Sequence, residues 1–474
     1  MSAVSTSSTT ETDSLPAHPR AVLAIILAAY FMILLDNSVI FTGLPSIKAG
    51  MDLSTGELSW VQNAYTLVFG GLLLLGSRAA DIVGRRRLFV IGLAVFSTAS
   101  FLIGVAPAGW WLVASRAVQG VGAAIVAPAS LSLLTAHFAA GKERQRAVAW
   151  YAATAGIGAS LGLVVGGALA AWISWRAGFF VNVPIGIAMV FAAQRYLRET
   201  PRSTARFDVP GAVLATLGVG TLVYGIVTSA DAGWTSFRVV IALVAGLVLL
   251  AGLVAHESRV EQPIMPLRLF TSRERCGAYA ARMLFLGAMI GFFFFTTQYL
   301  QGVYGWSPLQ AGLGFLPMTA VNFAVAVRVP RLIARIGDSR VLVAGIAVTA
   351  AGMAWLSQVQ AGQGYWVGVA LPMILVGAGQ GLAFAPLTSA GIAGVEVADA
   401  GAASGLVNTA HQLGSALGLG ILVTVAARQG TDLAGHVTAA LTGSAALLAV
   451  ALLIAMVVVV PGEQSRRARE KIVG

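Results

Sequence analysis

Residues 30–45 read YFMILLDNSVIFTGLP, an apolar stretch with the composition of a membrane helix and a single acid, Asp36, in its interior. An Asp at the centre of a membrane helix costs about 2.5–3.5 kcal/mol on insertion scales, and intramembrane acids usually have a function. Among the other apolar segments, only Arg116 lies comparably deep and away from charged loops. Asp36 is therefore the first candidate functional residue, and Arg116 is its candidate partner.

The composition around this stretch is that of a membrane protein with many spans. The chain has 474 residues, of which 57% are hydrophobic and 10% charged, with a mean hydropathy of +0.83. Soluble proteins of this size carry roughly 25% charged residues. The net charge of +11 lies in short clusters between apolar runs. This placement is typical of cytoplasmic loops and argues against a nucleic-acid partner.

Apolar runs bounded by charged or turn residues predict fourteen helical spans. They lie at about 20–45, 57–77, 87–106, 109–135, 146–171, 177–197, 210–230, 237–256, 277–301, 309–330, 339–358, 364–390, 401–427 and 437–461. The fold class is thus all-α and polytopic. An even number of spans places both termini on the same side of the membrane.

The distribution of basic residues indicates which side this is. With both termini in the cytoplasm, and with Arg282 counted at a cytoplasmic helix end, few of the 30 basic residues fall in outside segments. Those few are Lys48, Arg176, Arg238 and Arg428. The asymmetry follows the positive-inside rule. We therefore expect a multi-pass protein of the cytoplasmic membrane with both termini inside.

An internal repeat with an offset of 253 residues divides the chain into two halves. The matching pairs are Ser54 and Ser307, Arg78 and Arg331, Gly84 and Gly337, Arg87 and Arg340, and Gly92 and Gly345. Two homologous six-helix halves are a known transporter architecture. We predict a cytoplasmic tail at 1–19, six-helix bundles at 20–200 and 261–461, two extra helices within 201–260, and a second tail at 462–474.

The loop after the second span reads GSRAADIVGRRRLF over residues 76–89. It resembles the loop signature of the major facilitator superfamily, Gly-x-Leu-Ala-Asp-Arg-x-Gly-Arg-Arg, with Ser77 and Ile82 as departures. Arg116 followed by Gly120 is similar to a second motif of that family. The first resemblance implies a role in conformational gating for Asp81, Gly84, Arg85 and Arg86.

The fifth span resembles the antiporter motif of this superfamily, which is associated with export. The span reads GASLGLVVGG over residues 158–167, and Leu163 stands where the motif has Pro. Residues 35–45 and 174–186 resemble motifs of the fourteen-span drug:proton antiporters. The resemblance implies gating roles for the glycines of the fifth span, Gly158, Gly162, Gly166 and Gly167.

This resemblance covers about residues 20–460 and implies proton-coupled efflux of lipophilic or amphipathic compounds by alternating access. Asp36 and Arg116 then serve proton coupling. They lie at similar depths, about 13 and 10 Å from the outer ends of their spans at 1.5 Å per residue, so contact is plausible. The alternative for this pair is a fixed ion pair that orients two helices.

Substrate contacts are expected from polar and aromatic side chains on helices that line a central cavity. The candidates are Gln62, Tyr65, Phe295, Gln298, Gln301, Asn322, Asn408, His411 and Gln412. Helix packing is an equal alternative for each of them, and the favoured one for His411. Asp399 could gate by pairing with the loop around Arg85, but capping of a helix N-terminus is the favoured interpretation.

Three other functions stay open at this point. They are export of one endogenous metabolite or antibiotic, proton-coupled import, and a receptor or scaffold without transport. The sequence has no phosphate-binding loop and no His-Glu-x-x-His motif, and its single cysteine, Cys276, excludes a disulfide framework and a Cys-based metal site. We expect no enzyme activity, no metal and no cofactor. The expected partners are a small-molecule substrate, protons and lipid, and the expected assembly is a monomer.

Overall fold

The computed structural model describes residues 18–138, 141–199, 208–261, 263–360, 362–396, 399–429 and 432–473, and every regular element in these ranges is helical. The helices are α1 (Pro19–Met51), α2 (Thr55–Val83), α3 (Arg85–Gly104), α4 (Gly109–His137), α5 (Lys142–Trp172), α6 (Trp175–Phe180), α7 (Asn182–Tyr196), α8 (Val209–Ala232), α9 (Phe237–Glu257), α10 (Arg273–Gly302), α11 (Pro308–Gly314), α12 (Leu316–Ala326), α13 (Val329–Ile336), α14 (Asp338–Leu356), α15 (Leu371–Gly391), α16 (Ala400–Ala426), α17 (Leu433–Ile454) and α18 (Val460–Val473). The predicted all-α membrane fold is confirmed.

The helices agree with the predicted spans in place. Thirteen helical segments of the described chain are long and apolar enough to cross a membrane. The remaining predicted span, 146–171, falls within α5, where the apolar stretch Leu161–Trp172 is described as a shorter piece. The result is consistent with fourteen spans. Residues 1–17 of the predicted tail at 1–19 lie outside the described residues.

Two predicted spans are interrupted. The span at 309–330 consists of α11 and α12, which meet at Phe315, and it is followed by the short helix α13. Pro317 near the start of α12 lacks a backbone N–H, which favours a new helix start at this point. The span at 177–197 is divided into α6 and α7 at Val181.

The internal repeat extends to the local structure of the matched residues. Ser54 and Ser307 each form a capping box, with Glu57 and Gln310 respectively. Gly84 and Gly337 both have positive φ, +110° and +89°, and each joins two consecutive helices. An L-residue at either position is strained, so glycine is required for these tight hairpins.

Direct helix contacts join the two extra helices to the bundles and join the two halves to each other. The extra helices α8 and α9 pack on each other, and α8 also packs on α2 and α16. Between the halves, α5 approaches α11 so closely that a Cβ at Gly167 would lie 2.5 Å from the Pro308 carbonyl oxygen. On the other side of the molecule, α2 and α16 pack together, and the Thr409 hydroxyl donates to the Gly70 carbonyl at 3.3 Å.

Candidate functional site

Asp36 and Arg116 form an ion pair in the core of the first half. Arg116 Nη1 donates to Asp36 Oδ2 at 2.7 Å, and both side chains are fully buried. The predicted contact is confirmed. Helix α1 continues to Met51, with Pro45 in its interior, so Asp36 lies near the middle of a helix that is longer than the predicted span.

Two amides complete the environment of the Asp36 carboxylate. Gln119 Nε2 and Asn182 Nδ2 donate to Oδ1 at 2.8 and 2.7 Å. Gln119 Nε2 also lies 2.8 Å from the Ser100 hydroxyl oxygen, which ties α3 to the cluster. Three donors surround the two oxygens, and this arrangement fits an ionised carboxylate, which only accepts hydrogen bonds.

Arg116 also contacts two residues of α2. Its Nε donates to the Val61 carbonyl at 3.0 Å, and its guanidinium lies 4.3 Å from the centroid of the Tyr65 ring. The Tyr65 hydroxyl and Arg116 Nη2 are buried and have no hydrogen-bond partner in the described part of the chain. The neighbouring Gln62 donates to Asn37 Oδ1 at 3.0 Å. Tyr65 and Gln62, predicted as substrate contacts, therefore lie beside the ion pair and are buried.

The glycines of the antiporter-like motif contact α1 next to Asp36. A Cβ at Gly162 would lie 2.6 Å from Ser38 Cβ, and one at Gly166 would lie 2.6 Å from Val39 Cα. Gly158 approaches Leu34 in the same way, with a built Cβ 3.0 Å from Leu34 Cβ. Three glycines four residues apart thus form a stripe on α5 that packs against α1, as small residues do in membrane helix pairs. Gly167 instead faces α11 of the other half.

The basic hairpin between α2 and α3 is closed by Glu199, a residue that the sequence analysis did not single out. The Glu199 carboxylate accepts the backbone N–H groups of Arg86 and Arg87 at 3.0 and 3.1 Å. A carboxylate at a helix N-terminus is favoured by the helix dipole. Arg85 Nη1 donates to the Ser132 carbonyl at the end of α4 at 3.2 Å. The side chain of Asp81 lies outside the described residues.

Asp399 has a different partner from those considered. It occupies the N-cap position of α16 but makes no side-chain capping hydrogen bond. Arg268 donates to both carboxylate oxygens, from Nε at 2.7 Å and Nη2 at 2.6 Å. This bidentate hydrogen bond lowers the pKa of the Asp399 carboxyl below its ordinary value. Asp399 therefore lies at the helix N-terminus as predicted, but its carboxylate binds Arg268 and makes no capping hydrogen bond. Pairing with the Arg85 loop was wrong as its contact.

Arg282 is not at a helix end. Helix α10 begins at Arg273, so Arg282 lies about 13 Å along the helix at 1.5 Å per residue, with 2% of its surface exposed. Its Nη1 donates to the Thr388 hydroxyl at 2.9 Å, its Nη2 lies 3.5 Å from His411 Nδ1, and its guanidinium lies over the Phe384 ring. Its assignment to a cytoplasmic helix end was wrong.

The other predicted substrate contacts do not converge on one cluster. Phe295 and Gln298 are buried in the core of the second half, and Gln298 donates to the Phe294 carbonyl of its own helix. Gln301 Nε2 donates to the Thr42 carbonyl at 2.9 Å and so connects α10 with α1.

The three amides on later helices also differ in their surroundings. Asn322 Nδ2 donates to Gln380 Oε1 at 2.8 Å, which connects α12 with α15. Gln412 packs on Gly70 of α2, where a built Cβ would lie 2.6 Å from the Gln412 Cβ. Only Asn408 is exposed, one turn before His411 on α16, and its amide donates to the Ser404 carbonyl.

Four residues of these clusters could have been found from sequence signals. Gln119 follows Arg116 by three positions and therefore shares its helix face. Asn182 lies in the quoted segment 174–186, and Glu199 follows the sixth span beside basic residues. Arg282 is deeper than expected because α10 begins four residues before the predicted span.

The sequence profile of the Major Facilitator Superfamily matches residues 26–419. The cephamycin export protein CmcT of Amycolatopsis lactamdurans is 41% identical, with 91% of this chain and 92% of that protein aligned. The puromycin resistance protein pur8 of Streptomyces alboniger is 37% identical, with coverages of 85% and 81%.

The crystal structure of the nucleoside transporter NupG superposes with a TM-score of 0.67 at 13% sequence identity, covering 92% of this chain and 99% of that one. At this identity the likeness concerns the fold alone. The superfamily match extends over most of the chain and includes Asp36, Arg116 and Arg282. The chain is therefore a multi-pass membrane protein that belongs to the major facilitator superfamily.

Proposed function

We propose that the protein exports lipophilic or amphipathic small molecules across the cytoplasmic membrane in exchange for protons, and that Asp36 carries the proton. The observation on which this rests is the fully buried carboxylate of Asp36, held by Arg116, Gln119 and Asn182. Export, rather than import, is supported by two relatives whose names describe antibiotic export or resistance. The protein works as a monomer with both termini in the cytoplasm.

The described conformation corresponds to the proton-free state of Asp36. All three neighbours donate to its oxygens. If the carboxyl group were protonated, its O–H would face the N–H of one neighbour. One accepted hydrogen bond would then be lost, and two donors would point at each other, which is unfavourable. Protonation therefore loosens the cluster, and re-forming the cluster expels the proton. Each charge that moves through the full membrane potential contributes about 2.3 kcal/mol per 100 mV.

The glycine stripe on α5 couples the proton step at Asp36 to the rest of the protein through helix contacts. Gly162 and Gly166 of α5 contact α1 one turn or less from Asp36, and Gly167 contacts Pro308 of the other half. A change at Asp36 that shifts α1 against α5 thus also alters the contact between α5 and α11. Proton binding and opening of the outer side are coupled through this pair of helix contacts.

Reconstitution of Asp36→Asn into proteoliposomes tests the proposal. The wild-type protein should accumulate compounds from a panel of cationic and neutral drugs when a pH gradient is imposed. Asn keeps the shape of the side chain but cannot bind a proton, so the variant should lose gradient-driven accumulation and retain exchange of drug without a gradient.

Asp432→Asn provides a matched control. Asp432 is the N-cap residue of α17 and accepts the backbone N–H of Gly435, and Asn serves equally well at an N-cap. This variant should transport like the wild type. Full gradient-driven transport by Asp36→Asn would contradict the proton-site proposal.

A second candidate is an exporter dedicated to one compound. It is favoured by the 41% identity to a protein named for cephamycin export. Under this alternative only one or a few chemically related members of the drug panel are transported, and deletion of the gene lowers secretion of that compound without general drug sensitivity. Transport of many unrelated compounds would exclude the dedicated exporter.

A further inference from the structure

Arg282 carries a buried positive charge that nothing in the proton step uses. Its side chain has five N–H donors in a planar fork. Thr388 and His411 are its two polar side-chain contacts, and neither supplies a negative charge. Nε is buried and without a hydrogen-bond partner. Among the residues that the structure describes, no carboxylate forms an ion pair with Arg282.

The acids at the first turn of α10 and at the N-cap of α16, the helices of Arg282 and His411, are already engaged with other arginines. Glu274, two turns before Arg282 on α10, binds Arg466 at 2.9 Å. Asp399, at the start of α16, binds Arg268 at 2.6 Å. A buried cation without an anion is costly because the low dielectric that surrounds it penalises a lone charge. An anion from outside the chain would remove this cost.

Residues beside Arg282 are exposed. The ring centroid of Phe384 lies 4.6 Å from the guanidinium, and this residue is 39% exposed. On α16, Asn408 and Ser404 are exposed and lie on the same side as His411, three and seven residues before it. The buried Arg282 thus contacts α15 and α16, both of which carry exposed residues near these contacts, and an aromatic face lies next to its charge.

We propose that Arg282, with Thr388 and His411, is the binding site for an anionic group, most simply a carboxylate, on the exported molecule. The guanidinium fork matches a carboxylate in a bidentate geometry. The Phe384 ring packs against the apolar body next to that group. The preferred cargo is therefore an amphipathic acid or zwitterion. The anion site rests on the proposed function in one respect only, namely that the bound acid is the transported molecule.

Binding of matched acid and ester pairs to the purified protein in detergent tests this site. One pair is rhodamine 110 and its methyl ester, rhodamine 123, measured by fluorescence anisotropy. The other is cefoxitin and its methyl ester, measured by calorimetry. For at least one pair the acid should bind about tenfold more tightly than the ester, which corresponds to about 1.4 kcal/mol. No preference for the acid in either pair would overturn the proposal.

Variants separate recognition of the anion from a purely structural role of Arg282. Arg282→Gln should bring the acid-to-ester ratio close to unity by weakening the acid alone, and Arg282→Lys should keep part of the preference because it keeps the charge. Arg428→Gln removes an exposed arginine at the opposite end of α16 and should leave the ratio unchanged. An acid preference that survives in Arg282→Gln contradicts the site.

Asp36→Asn distinguishes this site from the proton step. It should leave the acid-to-ester ratio as in the wild type, because Asp36 and Arg282 lie in different halves with separate contacts. If the wild type shows the acid preference but no gradient-driven transport, the proposed function fails and the anion site stands. If gradient-driven transport is present and no acid preference exists, the anion site fails and the proposed function stands.

Discussion

Two arginines within the helix bundles, Arg116 in the first half and Arg282 in the second, have opposite surroundings. Arg116 in the first half contacts a carboxylate at 2.7 Å and is enclosed completely by protein. Arg282 in the second half has a hydroxyl and an imidazole as its polar side-chain contacts, and its aromatic neighbour Phe384 is partly exposed. The first arginine is neutralised inside the chain, whereas the second one is not.

In the mechanism proposed above, this difference gives the two halves different tasks. A carboxylate that is held by an arginine and two amides can exchange a proton without contacting the substrate. A cation without an internal counter-ion can bind the substrate without titrating near neutral pH, because a guanidinium keeps its proton. Proton and substrate then act on separate sites and are coupled through helix movement rather than by direct competition.

The largest expected effect is on stability when each arginine is replaced by Met. Arg116→Met leaves Asp36 buried without its counter-ion and should cost about 3–5 kcal/mol in the free energy of unfolding. Arg282→Met removes a lone buried charge and should change stability by less than about 1 kcal/mol. Thermal unfolding in detergent measures both.

The double variant Asp36→Leu with Arg116→Met sharpens this result. It removes both charges, so it should recover most of the stability that Arg116→Met loses. If Arg282→Met is as destabilising as Arg116→Met, the two arginines have the same structural role and the contrast between the halves is lost.

An intermediate effect is expected at the contact beside Asp36. Gly162→Ala places a methyl group 2.6 Å from Ser38 Cβ and 3.1 Å from the Leu35 carbonyl oxygen. Overpacking of this kind costs about 1–3 kcal/mol, and it should also slow transport by forcing α5 away from α1. Unfolding midpoints and initial rates of transport give the two readouts.

Gly220→Ala is the control for helix propensity. Gly220 lies inside α8, and a Cβ at that position meets nothing within 4 Å. Alanine there should be neutral or stabilising by up to about 1 kcal/mol. Equal behaviour of the two alanine variants would show that the stripe on α5 does not depend on close contact with α1.

The smallest effect concerns a third arginine contact, at the protein surface. Arg268 lowers the pKa of the Asp399 carboxyl, so the pair stabilises the fold fully above the ordinary Asp pKa of about 3.9. The stabilisation is lost as the pH falls through the lowered pKa. The difference in unfolding midpoint between the wild type and Asp399→Asn should therefore be small at pH 7 and disappear in acid. A difference that grows as the pH falls contradicts this assignment.

The sequence predicted the backbone arrangement and the central pair well, because these depend on patterns that are local or repeated. Hydropathy located the helices, and the rarity of deep charges identified Asp36 and Arg116. Of the residues that surround them, Gln119 shares α4 with Arg116, whereas Asn182 comes from α7, and its approach to Asp36 depends on helix rotation. Sequence alone does not define that rotation.

The errors have related physical causes. Arg282 was placed at a helix end because the charged residues 273–275 suggested a loop, whereas they form the first turn of α10. Asp399 has the sequence position of a cap, but a bidentate arginine competes successfully for its carboxylate. A helix boundary thus caused the error at Arg282, and a contact distant in the chain caused the error at Asp399.

The central claim is that Asp36 exchanges the transported proton, and proton release on substrate binding tests it most directly. The measurement uses purified protein in weakly buffered detergent, a pH indicator, and a compound that the transport panel shows to be exported. The wild type should release protons when the compound binds, and Asp36→Asn should bind the compound and release none. Proton release by Asp36→Asn equal to that of the wild type would contradict the account.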